Sequence, residues 1–278
     1  MFFFCHKCGE SMGVPNLIRR LDPDLYLEYV RERAMESRIP AQTFEPRVPE
    51  SRRLSAKGLV PISTLPPNHT ALRFVDSRGI PEDWRPRLLY AQDFYAWANT
   101  VVPGKYTRMA GEPRLVIPFV GADGVPVGFQ GRSLGDSQAK YVTVQVDPGK
   151  PFLFGLDRVD PTRVVLALEG PIDAMFLPNA VATGGGDVAS EVLRSKLDPA
   201  RITVVYDNER RSPATVKKML SAVDRGLAIC VWPVSISHKD VNEMVASGMT
   251  PAAVHSIIEA STHSGMAARA AVALWRRC

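Results

Sequence analysis

The fold is decided by Val164-Val165-Leu166-Ala167-Leu168-Glu169-Gly170-Pro171-Ile172-Asp173-Ala174-Met175 and its later echo, Ile202-Thr203-Val204-Val205-Tyr206-Asp207-Asn208-Glu209. Each is an apolar, β-branched run that ends abruptly in acidic residues. A strand covered by helices on both faces needs no polar alternation, so each run reads as a buried parallel strand. Its acids then sit at the C-terminal edge of the sheet, where open α/β sheets bind their ligands. Glu169, Asp173, Asp207 and Glu209 are therefore the candidate chemical centre.

Downstream of Pro161 the pattern alternates regularly. Strand 163–168, helix 171–177, strand 180–183, a Gly184-Gly185-Gly186 turn, helix 188–196, strand 202–206, helix 213–225, strand 228–232 and a short helix from Asp240 to Ala246 follow one another. Alternating βα units with short connections imply an α/β fold with a parallel sheet flanked by helices. Upstream lies a β-rich segment: Arg114–Val120, an Asp-Gly hairpin turn at 121–124, Val125–Arg132, then Lys140-Tyr141-Val142. Arg132 and Lys140 fall near the ends of neighbouring strands, where cations hold phosphates or merely solubilise an edge. Helices are expected at Thr70–Ser77 and Trp84–Ala98, with Phe74, Trp84, Tyr90, Phe94, Tyr95 and Trp97 facing a core. Asp22-Pro23-Asp24 reads as the cap of a helix running to Ala34, and recurrent prolines with Arg47, Arg52, Arg53 and Lys57 mark 39–67 as a semi-extended linker.

The 278 residues are 45% hydrophobic, enough for a real core, and the formal charge of +5 favours polyanionic partners. No run is long enough for a membrane span, and Met1-Phe2-Phe3-Phe4 is too short for an export signal, so a cytoplasmic protein is expected. Of the four cysteines, Cys5 and Cys8 form a knuckle of the type that grips zinc, while Cys230 and Cys278 lie far away. Two readings stay open: half of a Zn²⁺ site whose partner pair lies upstream of Met1, or a lone Cys-x-x-Cys without metal. The acids raise a separate question. Carboxylates converging on one edge without matched His or Cys repel one another unless a cation lies between them, and oxygen ligands select Mg²⁺ or Mn²⁺. The plainer alternative is that each acid caps a helix, as Asp173 would in a first helical turn.

Glu169-Gly170-Pro171-Ile172-Asp173 followed by Asp207-Asn208-Glu209 resembles the Toprim domain shared by DnaG-type primases, type IA and type II topoisomerases, and some nucleases and recombination mediators. Ile117-Pro118-Phe119, Gly128-Phe129-Gln130-Gly131-Arg132 and Lys140-Tyr141 resemble the segment that precedes Toprim in primase RNA polymerase domains. Lys239-Asp240-Val241-Asn242-Glu243 is similar to the lysine-aspartate motif that closes the primase Toprim. The resemblance is nearest to the primases of tailed-phage replisomes.

It implies a Toprim domain at 161–250 behind an α+β subdomain at 68–160, a partial zinc-ribbon element at 1–38, the linker at 39–67 and a basic helix at 251–278. It implies Glu169 as general base or metal-orienting acid, Asp173, Asp207, Glu209 and Asp240 as acids at a Mg²⁺ or Mn²⁺ site, and Arg132, Lys140 and Lys239 as contacts to nucleotide or template. The activity implied is synthesis of short RNA primers from ribonucleotides on single-stranded DNA. A replicative helicase would act in trans, since no phosphate loop of the Gly-x-x-x-x-Gly-Lys-Ser/Thr type is present. Glu209 departs from the aspartate usual in the family, as does the half ribbon. A non-catalytic recombination mediator and a Toprim nuclease are the rival readings.

Overall fold

The computed structural model describes residues 2–4, 11–13, 18, 21–22, 25, 58–106 and 110–278. Cys5, Cys8, the body of the expected 24–34 helix and most of the 39–67 linker lie outside these residues. The chain divides into two compact units, Met1–Glu50 and Ser51–Cys278. In the first, β1 (Phe2–Phe4) pairs antiparallel with β2 (Ser11–Gly13).

The second unit is built on two sheets. The antiparallel sheet has the order β3 (Leu59–Pro61), β4 (Leu89–Ala91), β5 (Arg114–Val120), β6 (Pro126–Ser133), β7 (Tyr141–Gln145). Its central hairpin turns at 121–124 as expected, with Gly121 N–H donating to the Val125 carbonyl at 2.9 Å. The other sheet has the order β9 (Ala180–Ala182), β8 (Val165–Leu168), β10 (Ile202–Val205), β11 (Ala228–Cys230), β12 (Thr262–His263), parallel except at the β11–β12 edge.

Strand alternation distributes β8 between two cores, and this is why the run is wholly apolar. Leu166 and Leu168 join Leu115, Ile117 and Phe119 of β5 in a core shared by both sheets. Val165 and Ala167 face the opposite way, against α4 (Val188–Arg194), α5 (Pro213–Asp224) and α8 (Gly265–Trp275). The shared core also takes in α1 (Thr70–Ser77), α3 (Pro171–Ala174), α6 (Val241–Ala246) and α7 (Pro251–Ala260). A third core packs α2 (Phe94–Val101) on the far face of the antiparallel sheet through Phe94, Tyr95, Trp97 and Phe129. Those aromatics are thus core residues.

The expected Trp84–Ala98 helix is corrected. Residues Glu82–Arg87 form a 3-10 turn containing Pro86, which has no N–H with which to continue an α-helix. The chain then extends into β4, and a new helix starts only at Asp93, whose carboxylate accepts from Ala96 N–H at 3.0 Å. The expected single C-terminal helix is likewise two helices, α7 and α8, separated by the edge strand β12. Among the described residues no helix is long and apolar enough to cross a membrane.

Among the described residues one charged side chain, that of Arg114, has no exposed surface. Arg114, 0% exposed, donates to the carbonyls of Gly131 and Ala139 at 2.9 and 2.8 Å, pairs with Glu112 at 3.0 Å and lies over the rings of Phe94 and Tyr95. Arg114→Ala should destabilise the protein by about 3–5 kcal/mol, because it leaves the Gly131 and Ala139 carbonyls without their donor, opens a cavity under Phe94 and Tyr95, and takes the counter-charge from Glu112. The double variant Glu112→Gln/Arg114→Met should recover part of that loss in denaturant melts. Equal stability of Arg114→Ala and wild type would show that the buried pair is dispensable.

Candidate active site

The apolar runs of β8 and β10 end at, or one residue beyond, the end of the strand, so the first acidic residue after each is delivered to the sheet's C-terminal edge. Glu169 follows β8 directly, Asp207 follows β10 after Tyr206, and Asp173 rides on the one-turn helix α3. Gly170 has to be glycine here: a Cβ at this position would lie 2.5 Å from the Asp173 carboxylate. Lys239 and Asp240 arrive from the loop before α6. Asp240 caps that helix by accepting from Glu243 N–H at 2.8 Å, and Glu243 reaches back to Lys239 N–H at 2.9 Å, which fixes the loop reciprocally.

These residues meet residues of the antiparallel sheet across a cleft of about 280 Å³. Glu169, Asp173, Asp207, Asp240 and Lys239 line one side, and Gln130, Lys140 and Tyr141 the other. Glu209 lies outside this lining and borders a neighbouring cavity. Arg132 is not exposed to the cleft. It is 9% exposed, with its guanidinium 4.9 Å from the centroid of Tyr141 and 5.4 Å from that of Phe74. Both cations lie at strand ends, Arg132 one residue before the end of β6 and Lys140 just before β7, but of the two only Lys140 lines the cleft, and Arg132 lies against Tyr141 and Phe74.

The acids are answered in the first instance by lysines. Lys218, on α5, reaches Glu169 at 3.0 Å, and Lys239 lies 3.0 Å from Glu209 and 3.5 Å from Asp207. The premise that only a metal would offset the repulsion is therefore corrected: two amines already take part. They do not complete the compensation. Burial, then the Asp240 charge, and further the Asp207 charge push the Asp173 carboxyl up to about 7, against the Asn242 N–H that donates to it at 2.8 Å. Burial and the Glu169 charge push Asp207 up to about 6, with Asp240 and Glu209 adding to this and Lys239 opposing it. Glu209 is held below the ordinary carboxylate range, first by its hydrogen bond from Lys239 and also by Thr215, which donates at 3.1 Å. As the side chains stand, no group of three or more acids, histidines or cysteines among the described residues is gathered closely enough to hold a metal ion.

Three participants carry no local sequence signal. Lys218 pairs with Glu169 across 49 positions of chain. Arg78 donates to the Asn242 side-chain oxygen at 2.8 Å, and Asn242 returns its amide to the Arg78 carbonyl at 2.9 Å, 164 positions apart. Since the Asn242 N–H also holds Asp173, this pair ties the segment after α1 to the acid cluster. Gln130, 2% exposed, donates to the Gly184 carbonyl at 2.7 Å and to Thr143 at 3.0 Å, closing the cleft's other end. Gly184 has φ +64°, and a Cβ there would lie 2.7 Å from Phe119 and 2.9 Å from the Gln130 amide.

No family model matches the chain. It is 33% identical over 273 residues to a DNA primase of Enterobacteria phage T4, covering 95% of this chain and 79% of the relative. Among solved structures, the zinc-binding and RNA polymerase domains of the Aquifex aeolicus primase superpose with a TM-score of 0.57 at 20% identity, covering 94% of this chain and 73% of that one. A DnaG primase catalytic domain bound to single-stranded DNA gives 0.56 at 19% identity, over 74% and 78% of the two chains. The fold is thus that of the DnaG catalytic core, and with a third of its residues shared along nearly its whole length with a phage primase, the chain belongs to the DNA primase family.

Proposed function

We propose that the cleft between the two sheets is the nucleotidyl-transfer site at which this primase joins ribonucleotides into short RNA primers on a single-stranded DNA template. The observation that carries this is the meeting, in one cleft, of Glu169, Asp173, Asp207 and Asp240 with Lys239 beside them and Lys140 on the opposite wall. A site that handles a triphosphate needs both signs of charge: carboxylates for the metal, amines for the phosphates. A mediator that only binds DNA has no use for buried acids titrating near neutral pH.

In this reading 161–250 is a Toprim domain, and 68–160 supplies the basic side of the cleft. Glu169, oriented by Lys218, takes the proton from the primer 3′-hydroxyl as that oxygen attacks the α-phosphate of the next ribonucleotide and pyrophosphate leaves. Lys140 and Lys239 hold phosphates as point charges, and Arg132 keeps Tyr141 in place against the template side. Asp173, Asp207, Glu209 and Asp240 would hold Mg²⁺ or Mn²⁺. The all-oxygen donor set and two carboxyls raised by burial and by neighbouring carboxylates fit a hard divalent cation. When bound, such an ion supplies charge neutralisation of the triphosphate and acidification of the attacking hydroxyl. A replicative helicase acting in trans completes the proposal.

The full chain with Mg²⁺, ribonucleotides and single-stranded DNA should yield oligoribonucleotides. Absence of product even with the helicase present would overturn the reading, and degradation of the DNA instead would identify a nuclease. Glu169→Gln and Asp207→Asn should each lower primer synthesis by on the order of 10²–10³-fold, the cost of losing one preorganised electrostatic group.

A second prediction uses stability. The folded state raises the Asp207 carboxyl to about 6, so its protonated form is favoured by folding, and the associated stability is lost as pH rises through 6. Asp207→Asn should therefore melt above wild type well above pH 6, with the gap closing towards the unfolded carboxyl value of about 4. Mg²⁺ should raise the wild-type melting temperature more than that of the variant, and chelation should reverse the rise. A gap independent of pH and of Mg²⁺ would remove Asp207 from the cation site.

Asn242→Ala keeps the backbone N–H that holds Asp173 but removes both side-chain contacts to Arg78, and it should raise KM for ribonucleotide more than Asn242→Asp, which keeps an acceptor for Arg78. Unchanged kinetics in both would make this pair purely structural.

A further inference from the structure

Next to the carboxylate cleft is a second cavity, of about 690 Å³, walled by the 208–212 loop, by Val234, Ile236 and Ser237, and by Arg277. Its lining is cationic. Arg210, Arg211 and Arg277 all border it, and Glu209 is its one acid, already held by Lys239 at 3.0 Å and Thr215 at 3.1 Å. Arg210 is half-buried and spent on structure: it donates to the carbonyls of Trp232 and Pro233 and lies over the Trp275 ring. The Arg277 N–H donates to the Arg210 carbonyl at 2.8 Å, which pins the C-terminal segment onto this loop. Arg211 and Arg277 are exposed, and among the described residues no carboxylate pairs with either.

Three guanidiniums gathered on one cavity repel one another, and the Arg277 charge, after burial, lowers the pKa of Arg210. Such a gathering is a liability unless an anion of matching geometry occupies it, and the guanidinium fork matches the phosphate oxygens. The cavity also borders the N-terminus of the 12-residue helix α5, capped by Ser212, whose dipole favours negative charge. Glu209 belongs to both the metal-site proposal and this wall, so an anion here is next to the reacting centre.

We propose that Arg211 and Arg277, framed by Arg210, form a phosphate-binding subsite that holds either the sugar-phosphate backbone of the nucleic acid worked on in the neighbouring cleft or the triphosphate of the nucleotide. The inference rests on the primase reading for the source of its ligand.

The test is binding, not synthesis. The full chain, wild type and Arg211→Gln/Arg277→Gln, is titrated with a fluorescent single-stranded oligonucleotide over a salt series, and separately with a ribonucleoside triphosphate by competition. If the backbone is the ligand, the variant's plot of log K against log salt should flatten by about 0.7 per lost contact, and Arg211→Lys/Arg277→Lys should restore most of the slope. If the triphosphate is the ligand, nucleotide affinity should fall while the oligonucleotide slope stays. Arg163→Gln is the control, since this exposed arginine lies at the opposite, N-terminal end of β8. Unchanged binding of both ligands, or equal flattening by Arg163→Gln, would overturn the subsite. Because binding is read without turnover, a chain that makes no primers yet shows the Arg-dependent slope would sink the primase reading and leave the subsite standing.

Discussion

Repulsion among carboxylates is the constraint around which this structure is arranged. Glu169, Asp173, Asp207 and Asp240 share the lining of one cleft, and burial makes the charges of Asp173 and Asp207 harder to hold than they would be in water. The protein answers with what lies within reach. It uses Lys218 against Glu169, Lys239 against Asp207 and Glu209, and a backbone N–H from Asn242 against Asp173. That the Asp173 and Asp207 carboxyls still titrate near neutral pH shows the compensation to be incomplete. The proposal of a divalent cation at this edge rests on that deficit.

The same deficit explains why the two sheets have to be fastened together at the site. The acids come from the parallel sheet and the opposing amine, Lys140, from the end of the antiparallel one. A cleft between two sheets keeps its width only if its walls are tied. Two ties are visible. Arg78 and Asn242 exchange hydrogen bonds beside Asp173, and Gln130 with Thr143 engages the Gly184 carbonyl at the other end. Between them lies the shared core of Leu115, Ile117 and Phe119 against Leu166 and Leu168, which makes the two sheets one packed body.

Much of this was legible in the chain. The apolar runs at 164–168 and 202–205 have no polar alternation because both faces of each strand are buried, and acids follow them because the sheet edge is the first place where charge is tolerated. The hairpin at 121–124 and the caps at Asp240 and Ser212 depend on neighbours three or four residues away, so their signals are local. The break at Pro86 was a local signal too, overridden in the reading by the aromatic pattern around it. Arg132 was read as a free cation, since a sequence does not show that Phe74 and Tyr141 enclose it.

By itself, then, the sequence determined the alternation of strands and helices between 163 and 246 and the edge at which the acids emerge, while its motifs carry the resemblance to primases. The alternation and the edge follow from hydrophobic periodicity and short-range capping, which act within a few residues. Only the tertiary structure decided which partners the acids have. Lys218 meets Glu169, and Arg78 meets Asn242, because strands and helices far apart in the chain pack side by side. Coulomb forces and hydrogen bonds depend on distance in space, and separation along the chain carries no record of it.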